Sequence, residues 1–179
     1  MWPSEEPKTP VPFWEDAEED TQEGPPSSTA EAEALVHLLS SGGVYVRTGL
    51  LLLPKPWLGR EGEIAVRLGA SHVNYQQWKL GKLAAAQSFL LLSAERLIDE
   101  LDELCLEHHA RATLLVSLLD LPLTALRPDE RSKFWHFMHG AFSKRPRSLL
   151  LALPEMASPS LPSDPEQWQA SGRLAHWQL

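Results

Sequence analysis

Two apolar runs near the middle of the chain carry no regular polar alternation. Residues 112–119 read Ala-Thr-Leu-Leu-Val-Ser-Leu-Leu, and residues 148–153 read Ser-Leu-Leu-Leu-Ala-Leu. A strand covered on both faces has this pattern, and the shortness of the runs favours strand over buried helix. Asp120-Leu121-Pro122 closes the first run and Pro154 the second, since proline donates nothing to a strand ladder. Between them, Pro128 suits the first turn of a helix, with Asp129 and Glu130 at its positive end. Phe134, Trp135, Phe137 and Met138 then supply an apolar face at helical spacing, and Gly140 with Lys144-Arg145-Pro146 marks the end. Strand, helix, strand predicts a right-handed parallel crossover.

The same signals extend to the flanks. Ser28 and Glu31 have capping-box spacing, and Ala32, Leu35, Val36, Leu38 and Leu39 follow as a helix stripe that stops at Ser40-Ser41-Gly42-Gly43. Residues 44–53 predict a strand or a bent pair of strands, and residues 54–62 an ordered loop. Residues 64–68, Ile-Ala-Val-Arg-Leu, alternate as another strand closed by Gly69, and a short helix over 74–80 follows with Tyr75 and Trp78. Residues 89–92 predict a short strand. Ser93 caps a strong helix over 94–108, whose Leu97, Ile98, Leu101, Leu104 and Cys105 line one face and whose Glu95, Asp99, Glu100, Asp102 and Glu103 line the other. Beyond Pro154 the chain turns irregular before a last apolar and aromatic piece over 168–177. Alternation of strand and helix makes the class α/β, a single three-layer domain over 30–179 with a mostly parallel sheet flanked by helices.

Residues 1–29 break the pattern. They hold six prolines, many carboxylates and little aliphatic content, so this segment is expected to stay disordered. Within it Phe13 and Trp14 are followed by Glu15 and Asp16, the composition of a short docking peptide. Charge is unevenly shared. The chain of 179 residues carries a formal −8, and residues 1–30 hold eight carboxylates against Lys8 alone. That segment accounts for −7, so the remainder is nearly neutral and direct binding to nucleic acid is not expected. The lone Cys105 permits no internal disulfide, the amino end reads as no secretory signal, and no apolar run approaches the roughly 20 residues of a membrane span. A cytoplasmic protein is expected.

Candidate chemistry centres on Asp120, at the carboxyl end of a buried strand, where ligands of α/β sheets bind. Residues 88–154, an apolar strand ending in aspartate, then a helix, then another buried strand, resemble the second half of a P-loop NTPase core. In that family the matching aspartate orients magnesium. The overall pattern also resembles small P-loop-like subunits of bacterial phage-defence systems of the BREX type. The phosphate loop itself is degenerate: Gly81-Lys82 is followed by Leu83, and position 76 is Gln. The resemblance therefore implies a member without ATPase activity, or, in the alternative, a nucleotide- or magnesium-dependent enzyme using Asp120, with Lys82 or Arg173 on phosphate. Other chemistry is thin. His136 and His139 share a helix face without a third ligand type nearby, no Gly-x-Ser-x-Gly occurs, and Cys105 falls on a buried stripe. Lys144, Arg145 and Arg147 form a basic loop able to meet an acidic partner. Seven tryptophans are many for this length, and exposed aromatics enrich binding surfaces. The expectation is an interaction or accessory subunit of a larger DNA-processing, repair or defence complex, with no cofactor and no metal. It would bind a protein partner through Phe13, Trp14, Glu15, Asp16 and the basic loop.

Overall fold

The computed structural model describes residues 28–83 and 92–178. The tail expected over 1–29, with its Phe13 to Asp16 motif, and the strand expected over 89–92 fall almost wholly outside them; Leu92 itself lies in no regular element.

Five parallel strands form one sheet: β1 (Thr48–Leu53), β2 (Ser71–Asn74), β3 (Thr113–Ser117), β4 (Ser148–Pro154) and β5 (Leu174–His176), in the order β2-β3-β4-β1-β5. Both unalternated runs are inner strands, β3 and β4, with every residue of β3 buried and only Pro154 of β4 partly open. Helices cover both faces. α1 (Ser28–Ser40) and α2 (Glu61–Arg67) pack on one, where Leu35, Leu39, Ile64 and Ala65 meet Leu51, Leu115, Leu150 and Ala175. α3 (Tyr75–Lys82), α4 (Ala94–Leu106), α5 (Asp120–Ala125), α6 (Pro128–Gly140) and α7 (Pro165–Ala170) lie toward the other, where Leu97, Leu101, Phe134 and Trp168 meet Leu50, Leu114, Val116 and Leu149. Neighbouring residues of one strand thus serve opposite cores, which is why these runs show no alternation. The architecture is a three-layer α/β domain, and among the described residues no helix is long and apolar enough to cross a membrane.

One element differs in kind from its sequence reading. Residues 64–68 were expected as a strand and instead form the end of α2, with Leu68 as its C-cap. Ile64, Ala65 and Leu68 are buried while Val66 is 80% exposed, so the apolar positions recur at one, three and four residues, the helical period. Leu68 N–H donates to Ile64 O, and Gly69, at φ +64°, ends the helix in the left-handed conformation glycine tolerates. The strand comes after the helix, as β2. Ser71, His72 and Asn74 give it three polar residues in four, and only Val73 is buried. Elsewhere the caps follow the sequence: Ser93 Oγ accepts from Arg96 N–H at 3.2 Å, and Asn74 Oδ1 accepts from Gln77 N–H at 3.0 Å.

Candidate functional site

In an all-parallel sheet with helices on both faces, ligands favour the carboxyl ends of neighbouring strands whose connections leave to opposite faces. Here those strands are β1 and β4. The chain leaves β1 through α2 on one face and crosses to β2 at the far edge, whereas it leaves β4 through α7 on the other face to reach β5. The residues that follow β1 leave few free donors there. Pro54 and Pro56 have no N–H, and a single 3-10 turn at Lys55–Trp57 spends the next donors on its own backbone. Trp57 N–H donates to Pro54 O at 2.9 Å, Leu58 N–H to Lys55 O at 3.3 Å and Arg60 N–H to Trp57 O at 3.1 Å. Gly59, at φ +84°, gives its N–H to Glu61 Oε1 at 2.9 Å. A phosphate cradle needs several free N–H groups pointing at one place, and this loop has used or lost nearly all of its own. Trp57 is buried against Trp177, ring centroids 5.6 Å apart, with the Arg60 guanidinium 4.3 Å above it.

Asp120, Lys82 and Arg173 do not share a cleft. Asp120 is partly buried at the start of α5, after Leu118, whose φ of +59° is uncommon for leucine; there its charge complements the helix dipole. Lys82 is exposed at the end of α3, bonded to Glu103 and, at 2.6 Å, to Glu107, and lies 4.5 Å over the Trp78 ring. Arg173 sits at the amino end of the sheet, opposite to Asp120. It is 5% exposed and donates from Nη2 to His139 O at 2.8 Å and from Nη1 to Val46 O, Thr48 O and Thr48 Oγ1 at 3.3–3.4 Å. Its guanidinium lies 5.0 Å from the Trp168 ring, and burial lowers its pKa. Arg173 is an internal tie between β1, α6 and α7.

The basic loop is also turned inward. Arg147 Nη1 donates to Cys105 O at 2.9 Å, satisfying a carbonyl in the last turn of α4, and Nη2 reaches His109 O at 3.4 Å. Arg145 Nε meets Asp102 Oδ1 at 2.6 Å while its guanidinium lies 4.4 Å from the Phe142 ring. Only Lys144, at φ +62°, faces solvent. His139 rests edge-on to Trp168 at 5.1 Å with its Nε2 unpartnered, beside a cavity of about 100 Å³. His136 lines the same cavity, and among the described residues no group of three His, Cys, Asp or Glu could hold a metal.

Two constellations escape sequence reasoning. His72 Nε2 lies 2.8 Å from Ser117 Oγ, joining β2 to β3 at their carboxyl ends. Burial lowers the pKa of His72 despite the carboxylate of Glu61, favouring the neutral ring. Ser117 is 1% exposed, so its hydroxyl is a strand tie and no substrate reaches it. The second surrounds Glu100, which is buried between α3 and α4 and accepts from Tyr75 Oη, Lys79 Nζ and, at 3.1 Å, Arg96 Nε. Burial alone would raise its pKa, but the three donors outweigh that and lower it. The Tyr75 phenol is pushed up, first by burial and then by its bond to Glu100.

Glu100 forms the floor of a groove of about 480 Å³ whose walls are largely apolar: Tyr75 and Leu80 on α3, and Leu121, Pro122 and Ala125 on α5. Leu80 and Leu121 are 67% and 64% exposed. Further apolar side chains stand open at the same end of the sheet. Leu58, five residues past β1, and Met156, two past β4, are both exposed, and Leu121 lies four past β3. Since β3, β4 and β1 are adjacent, three successive strands each deliver one exposed large apolar residue to the carboxyl end. Among the described residues this end of the sheet offers exposed apolar area and no group of metal-ligating side chains. Comparison with protein-family models gives no match, and comparison with curated proteins gives none either.

Proposed function

We propose that this chain is a non-enzymatic accessory subunit that binds a protein partner through the carboxyl end of its sheet. One observation carries the reading: Leu58, Leu121 and Met156 stand exposed after β1, β3 and β4, while the turn after β1 spends nearly all of its N–H groups on itself. Contiguous exposed apolar area is costly to maintain in water and marks interaction surfaces. Of the basic loop expected to meet a partner, Lys144 is exposed, whereas Arg145 and Arg147 also make bonds within the chain. The partner assembly is of the DNA-processing, repair or defence kind on the resemblance of the overall pattern to small phage-defence subunits alone, and the setting is cytoplasmic.

The test is capture of partners by the full chain and by a Leu58→Asp, Leu121→Asp, Met156→Asp variant, with melting curves on both. All three positions are exposed, so the variant is expected to melt near the parent. Capture lost at unchanged stability supports the reading; equal capture by both refutes the surface. A titration with ATP and magnesium tests the alternative, since any ligand of the native state raises its stability. No shift at millimolar nucleotide is expected. Saturable stabilisation abolished by Asp120→Ala would replace this proposal with the nucleotide-dependent one.

A further inference from the structure

We propose that His139 is the proton-sensitive element of a latch: its neutral ring holds α7 on the domain through Trp168, and its protonation lets α7 lift. The inference is independent of the partner-binding reading. α7 is six residues long and Trp168 is its one buried side chain, so the helix hangs on that ring. The Trp168 ring rests edge-on against Trp135 at 5.9 Å and His139 at 5.1 Å between centroids, with the Arg173 guanidinium 5.0 Å away. His139 and Arg173 are also joined directly, since His139 O accepts from Arg173 Nη2 at 2.8 Å. A charged His139 therefore stands beside a cation that is itself buried.

The surroundings of His139 disfavour that charge. Its Nε2 is buried with no hydrogen-bond partner, so an imidazolium, which donates from both nitrogens, keeps one charged donor unsatisfied in the closed state. On α6 itself, His136 lines the same cavity one turn earlier and adds a second positive charge when protonated. The turn before β5 contributes Arg173. The amino end of α7 contributes Asp164, the one carboxylate on the cavity of about 100 Å³, but it is exposed and water screens it; Glu166, also exposed, does not line the cavity. Burial lowers the pKa of His139 first and the charge of Arg173 next, while a hydrogen bond to the Gln167 backbone offsets part of this. A histidine lowered in the folded state contributes fully above its ordinary value near 6.5, and the contribution is lost as pH falls from there through the lowered value. Once charged, the ring gains by turning toward the cavity, where water and Asp164 can meet it, and Trp168 loses its edge contact. Trp177, buried against Trp57, keeps β5 in the sheet, so opening is confined to α7 and the turn after it. The lifted helix uncovers Trp135, an apolar surface presented only in acid.

Hydrogen exchange of the full chain at pH 7.5 and at pH 5.5, read as protection factors so that the intrinsic pH dependence cancels, tests the latch. The reporters are the amides of Ser171, Gly172 and Arg173, which donate to Gln167 O, Gln169 O and Trp168 O at 3.2, 2.9 and 2.8 Å. A helix of six residues frays once lifted, so these bonds open with it. Their protection is expected to fall roughly threefold to tenfold at pH 5.5, since each unit below 6.5 enlarges the open population at most tenfold, while amides of β3 and β4 keep theirs. His139→Phe keeps an aromatic ring against Trp168 and takes no proton, so it is expected to abolish the fall; His139→Gln should do the same and serves if the phenylalanine variant does not fold. His136→Gln should leave the fall in place. A change below about twofold in the parent overturns the proposal, as does a fall that persists without His139 or disappears with His136→Gln. An equal fall across β3 and β4 overturns it too, because it marks unfolding of the whole domain. The ring protons of His139, followed by NMR in the parent chain, should titrate below 6.5, and titration at or above that value overturns the latch whatever the variants show.

Discussion

Arg173 separates the structural account from the phosphate-binding one, and its replacement by methionine measures the difference. Methionine keeps an unbranched apolar stem against Trp168 and deletes the guanidinium. Three donors are lost. Nη2 makes a short bond to His139 O at 2.8 Å, and a hydrogen bond from a charged donor contributes about 1.5–3 kcal/mol. Nη1 is shared among Val46 O, Thr48 O and Thr48 Oγ1 at 3.3–3.4 Å, and Nε reaches Ser171 Oγ at 3.2 Å; these long bonds contribute about 1 kcal/mol each. Relief from burying a guanidinium offsets part of that sum, as does the second lone pair that lets strand carbonyls keep their ladder bonds. A net loss of about 3 kcal/mol follows. For a domain of this size each kcal/mol moves Tm by roughly 2–4 °C, so the expected fall is roughly 6–12 °C. Urea denaturation of parent and Arg173→Met, with the midpoint read at constant m, checks it. A loss below about 1 kcal/mol would refute the internal tie and reopen a role for Arg173 on a ligand.

Acid stability should report Glu100. Its carboxyl is held below the ordinary value near 4.5, so the stability it contributes is complete above that value and is lost as pH falls through the lowered one. Urea melts of Glu100→Gln should be weaker than the parent at neutral pH and converge with it under strong acid; a constant gap at every pH would sink the assignment. Cys105 is 0% exposed and its thiol is pushed up to about 12, by burial first and by the charge of Asp102 next. A thiol reagent should therefore label it only as the chain unfolds, and rapid labelling of the native protein at pH 8 would contradict the packing.

How much of this was legible depended on where each residue's partners lie. β3, β4 and α6 were readable because their apolar pattern is local: β4 ends at Pro154 and Pro128 starts a helix whose buried side chains recur at helical spacing, although β3 stops at Ser117, before Pro122, which lies within α5. α2 and β2 were not, because residues 64–68 are too few to separate a period of two from a period near four, and β2 is an edge strand whose single buried residue leaves no apolar run. Asp120 was placed correctly at a strand's carboxyl end, yet whether that position holds a ligand depends on β1, more than sixty residues earlier. The absence of Gly-x-x-x-x-Gly-Lys-Ser/Thr was visible in sequence; how the turn after β1 spends its N–H groups was not.

The inward turn of the charged residues has the same origin and decides how the surface is used. A guanidinium looks identical in sequence whether it faces water or caps a helix, and only the meeting of α4 with the loop before β4 tells Arg147 apart from a solubilising residue. The same tertiary contacts that withdraw Arg145, Arg147 and Arg173 from the surface leave leucines and a methionine on it. Leu58 and Met156 occur in short connections and Leu121 in the first turn of the six-residue α5, where no periodic pattern marks them as apolar-out. On the partner-binding proposal, the exposed leucines and methionine at that end of the sheet are the surface that a partner covers. That proposal predicts binding that is apolar in character and weakly dependent on salt, in contrast to the steep salt dependence that a basic loop on nucleic acid would produce.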